Sequence, residues 1–109
     1  MSRESRRLKL QTRLEEILGS RNVYFQPPAS ISLQYPCIIY AFDDEDVLHA
    51  NDVPYLTRDK YTITLITKEA LPDAMMSAIL SIPYTGFNRH YTSDNLHHFS
   101  YTTSSFERY

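Results

Sequence analysis

The sequence predicts an α+β fold: a mainly antiparallel, or mixed, β-sheet with an N-terminal helix and a second short helix packed on one face. Three observations carry that prediction. The chain opens with apolar residues at helical spacing, its middle holds two stretches with strand character, and prolines and an Asp-Asn pair punctuate the remainder. The element order is α-β-β-β-α-β-β, in a single domain over residues 1–109, a length that supports one core and not two.

From about Ser5 to Leu18, the apolar residues Leu10, Leu14, Ile17 and Leu18 stand at i, i+4, i+7 and i+8, one stripe of an amphipathic helix. Gly19 is its expected stop, because glycine accepts the left-handed conformation just past a helix end. "NVYFQPP" reads as a short strand, Val23 to Gln26, ended by Pro27 and Pro28. "PCIIYAFD" reads as a central strand, with Cys37, Ile39 and Ala41 on one face and Ile38, Tyr40 and Phe42 on the other. In "DKYTITLIT", Tyr61, Ile63 and Leu65 point one way, and Thr62, Thr64 and Ile66 point the other. Between these strands, Asp43 to Leu56 shows neither a helical nor a strand period and is expected to be a long connection, the kind more often functional than short ones. A short helix follows from about Asp73 to Ser81, bounded by Pro72 and Pro83, with Met76, Ile79 and Leu80 on one face. Phe87 to Tyr91 and Leu96 to about Phe106 form a final hairpin.

Composition excludes several function classes. No apolar run approaches the roughly 20 residues of a membrane span, and the basic start "MSRESRRLKL" lacks the apolar stretch of a secretory signal, so the chain is expected in the cytoplasm where it is made. Glycines stand only at 19 and 86, too few for a phosphate-cradling loop or a dinucleotide fingerprint. Cys37, the sole cysteine, has apolar neighbours and reads as a small buried hydrophobe. The net charge of −2 is unevenly spread. Residues 1–22 carry +3, and residues 43–59 carry −5. Nine tyrosines suit half-buried strands and interfaces, since each joins an apolar ring to a polar tip.

"YTSDNLHHF", with His90 just ahead of it, has the residue types of a metal or nuclease centre. A three-residue turn at Ser93, Asp94 and Asn95 would pair Thr92 with Leu96 and set His90 beside His98, with His97 pointing the opposite way. Two histidines on one face fall short of the four ligands of a structural zinc site, and no base stands ready to activate a nucleophile. No catalytic, cofactor-binding or metal-ligating residue is therefore expected, and the chain is not read as an enzyme.

Taken in order, "NVYFQPP", "YPCIIY", "HANDVPY", "YTITLI", the proline-bounded helix and "FNRHYTSDNLHHF" resemble small tail-completion proteins of long-tailed phages and prophages, the tail terminators or tail-to-head joining proteins. The resemblance runs from about Leu8 to Phe99. It implies a helix-plus-sheet subunit that assembles as a homo-oligomer, commonly a hexameric ring. Such a ring caps the tail tube, ends tail growth and meets the head connector or stopper protein. Its place is the neck region of the virion, assembled in the host cytoplasm, with DNA passing through the lumen without specific binding and no membrane involved.

A ring uses heterologous contacts, and unlike charged patches on one chain suit them. The acidic segment, with Asp43, Asp44, Glu45, Asp46, Val47, Leu48, His49, Asn51, Asp52 and Tyr55, is the expected contact to a neighbouring subunit or the tube. Arg3, Arg6, Arg7 and Arg13 form a candidate basic contact face. The alternatives are a head-closure, stopper or other neck protein, and then a small nucleic-acid-binding module, which the net negative charge disfavours.

Overall fold

A computed structural model describes residues 2–108, with side chains described as far as Phe106. Ser2 caps the first helix, its hydroxyl accepting from the Ser5 backbone N–H at 3.1 Å, so α1 runs Arg3–Leu18, two residues earlier than the apolar stripe alone indicates. Gly19 closes it in the left-handed conformation (φ 78°), its N–H donating to the Glu15 carbonyl at 2.9 Å.

Strands β1 (Val23–Phe25), β2 (Cys37–Ala50) and β3 (Val53–Thr67), helix α2 (Asp73–Leu80), and strands β4 (Thr85–Ser93) and β5 (Leu96–Arg108) follow. The order is the one the sequence predicts. The strands form one five-stranded sheet in the spatial order β1-β2-β3-β5-β4. It is mixed, because β1 lies parallel to β2 while every other pair is antiparallel. No helix among the described residues is long and apolar enough to cross a membrane.

Both helices pack on one face. Leu14 from α1 and Ile79 from α2 are fully buried against Ile38, Tyr40, Tyr61, Ile63, Leu65, Phe99 and Tyr101. Burying a leucine of that kind stabilises by roughly 1.5–3 kcal/mol. On the opposite face Cys37, Ile66 and Leu96 form a smaller cluster, covered by Leu33 from the segment joining β1 to β2. The alternation at 37–42 and 61–66 therefore sorts these residues onto the faces expected of them.

The largest departure from expectation is the segment 43–56, which is a hairpin and not a connection. β2 and β3 pair continuously out to Ala50 and Val53, with Asn51 and Asp52 at φ 54° and 63° making the two-residue turn. Register shifts at Phe42/Asp44 and Leu48/His49 break the alternation of two, and from Phe42 outward almost every β2 side chain is exposed or half-exposed, so the segment has no apolar face to reveal a strand. The fifteen residues of β3, at about 3.3 Å each, come to roughly 50 Å. That matches the long dimension of a molecule measuring 51 × 25 × 22 Å.

Candidate functional site

The acidic segment lies on the β2–β3 hairpin, whose β3 strand is also paired with β5 as far as Leu56 so that only the tip beyond it is a two-stranded arm, and most of its carboxylates are paired along it. Asp46 bonds Arg58 directly opposite on β3. Asp43 lies 3.6 Å from the Lys60 ammonium, and Asp44 accepts from the Glu45 backbone N–H at 2.8 Å. Glu45 meets Arg3 at 2.7 Å. Beyond these pairs the arm becomes apolar and open. Val47, Leu48, Val53 and Tyr55 are 38%, 48%, 61% and 47% exposed, and His49, Asn51 and Asp52 are exposed at the tip. The sequence-predicted contact residues therefore lie together on one projecting element, charged at its base and apolar toward its end.

The arginine face of α1 turns largely inward. Asp59 on β3, only 1% exposed, receives Arg3 Nε at 2.8 Å, Arg3 Nη2 at 3.2 Å and Arg6 Nη2 at 2.9 Å. The bonds and charge of Asp59 hold the Arg3 guanidinium above its ordinary pKa. Arg7 bonds Glu4 at 2.6 Å, which lowers the Glu4 carboxyl and raises the arginine, and it lies 4.6 Å over the Phe25 ring. It also donates to the Tyr40 hydroxyl at 3.0 Å, which donates in turn to Gln11 Oε1 at 2.6 Å. Gln11 completes the chain by donating to the Val23 carbonyl at 3.0 Å. Arg13, half-exposed, stands 3.6 Å from Glu16. Arg3, Arg6 and Arg7 thus fasten the helix to the sheet and to the base of the arm.

The histidine hairpin corrects the expected register. Its turn has two residues, Asp94 and Asn95, at φ 53° and 62°, so Ser93 pairs with Leu96, Tyr91 with His98 and His90 with Phe99. A turn one residue shorter than expected changes which side chains share a face. His97, not His98, stacks on His90, with Nε2 of His90 and Nδ1 of His97 3.0 Å apart. His98 lies on the other face, stacked on Tyr91. Among the described residues no group of three or more His, Cys, Asp or Glu side chains converges as a metal would require. Cys37 is fully buried, and burial pushes its thiol up to about 11, the opposite of an activated nucleophile.

Sequence reading passed over a second surface. A largely apolar groove of about 460 Å3 runs between α1, the 82–84 turn and the end of β5, lined by Leu10, Ile82, Tyr84 and Phe106 together with Arg6, Lys9 and Arg13. Tyr84 is 72% exposed at a left-handed φ of 61°, edge-on to Phe106 with ring centres 4.8 Å apart. A bulky residue in that conformation is uncommon, and nothing in a period of 3.6 or 2 signals it. Asp59 had a usable signal: it continues the Tyr61, Ile63, Leu65 alternation, which places it on the buried face where a carboxylate needs a cation. No known family model matches this chain, and no curated protein is significantly similar to it.

Proposed function

We propose that the chain is a structural tail-completion protein of a long-tailed phage or prophage: it caps the tail tube as a ring, ends tail growth and joins the tail to the head connector. The observation that carries this reading is the β2–β3 arm, a long hairpin with ion pairs at its base and exposed Val47, Leu48, Val53 and Tyr55 beyond them. Apolar side chains on a projecting element fit a partner surface better than they fit water. The order of motifs from Leu8 to Phe99 supports the same reading, as does the sheet with two helices on one face.

The arginine pairing supports passage of DNA without retention. Arg3, Arg6 and Arg7 are engaged with Asp59, Glu45, Glu4 and Tyr40, which leaves less free positive charge for phosphate contacts. The same pairing disfavours a nucleic-acid-binding module.

Purified tail tubes mixed with the chain and sedimented test the proposal. The chain should travel with the tubes and appear at one end of each. Capture by the portal or adaptor and not by the tube would assign it to the neighbouring head-closure role, and binding to neither would end the proposal.

A further inference from the structure

The ring proposed above requires one surface of the chain to receive a different surface of the next, and two features fit each other. We infer that the groove beside Tyr84 receives the tip of the β2–β3 arm from a second copy of this chain. The inference rests on the ring reading and specifies its contact.

Charge and polarity match on both sides. Beyond the Asp46–Arg58 pair, the arm carries exposed Val47, Leu48, Val53 and Tyr55 and a single carboxylate, Asp52, at the turn. The groove offers Leu10, Ile82, Tyr84 and Phe106 as apolar lining, with the cations of Arg6, Lys9 and Arg13 and the hydroxyls of residues 103–105 also lining it. Among the described residues neither Lys9 nor Asp52 has an ion-pair partner. A volume of about 460 Å3 lies within the range of roughly 300–1,000 Å3 that holds a small set of docked groups.

Tyr55 and Leu56 border Tyr84 and Phe106 at the near end of the arm, and Asp52 lies three residues further out, about 10 Å at strand spacing. The tip therefore lies further along the strand than Tyr55, the arm residue that borders Tyr84 and Phe106 within one chain. Head-to-tail insertion into the next copy is a heterologous contact, which closes into a ring when the rotation per subunit allows. Tyr84 serves this contact directly: its left-handed backbone holds the ring exposed beside Phe106, at the mouth the tip would enter.

Two full-length variants, Val53→Cys and Tyr84→Cys, mixed and mildly oxidised test the contact, because Cys37 is buried and does not compete. The expected result is an inter-chain disulfide between the two variants, and none when Val53→Cys is paired with Thr92→Cys on the other hairpin. Asp52→Asn and Lys9→Met supply an independent measure. Each should raise the concentration needed for assembly about two- to five-fold, and the double variant should be no worse than the weaker single. Rings that form without the Val53–Tyr84 link, or with additive Asp52 and Lys9 effects, would overturn this contact and leave the ring reading standing. A wild-type chain that never assembles, alone or on tail tubes, would overturn both.

Discussion

Replacing Asp59 by Asn tests how the arm is held, since the change keeps the shape and removes the charge. In the native chain this carboxylate is 1% exposed and accepts three charged hydrogen bonds, at 2.8, 2.9 and 3.2 Å, from Arg3 and Arg6. Removing one partner of a buried ion pair costs about 3–5 kcal/mol, because the other charge stays buried. The Arg6 side chain, 10% exposed, remains buried, while Arg3, 49% exposed, keeps Glu45 and has water in reach. The loss should therefore fall near the lower end, about 3 kcal/mol. For a domain of this size that is roughly a 10 to 20 °C drop in melting temperature, read by circular dichroism. Asp59→Leu combined with Arg6→Met should recover part of the loss, since no charge is then stranded at that position. An Asp59→Asn protein within about 1 kcal/mol of wild type would refute the view that this pair fastens α1 to the arm.

Three further outcomes follow from the packing and the turns. Leu14→Ala should cost about 2–5 kcal/mol in urea unfolding, because Leu14 is fully enclosed between α1 and the sheet; a loss under 1 kcal/mol would contradict that placement. Burial raises the ionisation of Cys37 to about 11 and raises Tyr40, Tyr61 and Tyr101 as well, so each loses its proton less readily folded than unfolded. Stability should be intact below about pH 9 and fall as pH rises toward 11, with Cys37 alone contributing on the order of 2 to 3 kcal/mol and Cys37→Ala flattening the fall; a denaturation midpoint unchanged from pH 8 to 11 would contradict it. Asn95→Gly should leave stability equal or slightly higher and Asn95→Val should lower it by about 1 kcal/mol or more, because the second turn residue holds φ at 62°; equal melting temperatures for the two would argue against the two-residue turn.

What could be read from the sequence followed how strongly one face of each element is buried. Leu10, Leu14, Ile17 and Leu18 gave away α1, and the Tyr61, Ile63, Leu65 alternation gave away β3, because each pattern reports a buried stripe. The distal half of β2 has no buried stripe and two register shifts, so its strand character was silent, although Asn51 and Asp52 make the same kind of turn as Asp94 and Asn95. The histidine register failed by one residue, since both turn lengths are open to Ser-Asp-Asn and the chosen one decides whether His97 or His98 meets His90. The arm's residues were singled out from the segment's length, its acidity and its apolar Val47, Leu48, Val53 and Tyr55, without any sign that they form a hairpin. The groove beside Tyr84 was invisible because it joins Lys9 and Leu10 to Tyr84 and Phe106, residues brought together only by the packing of α1 against the sheet.

The ring is the central claim, and the mass of the purified full-length chain in solution, by light scattering across a concentration series with and without tail tubes, tests it most directly. Assembly to six times the 12.8 kDa chain, seen as six-fold rings in negative stain, is the expected result, either free or at the tube end. A chain that stays at 12.8 kDa at every concentration and ignores the tubes would contradict it.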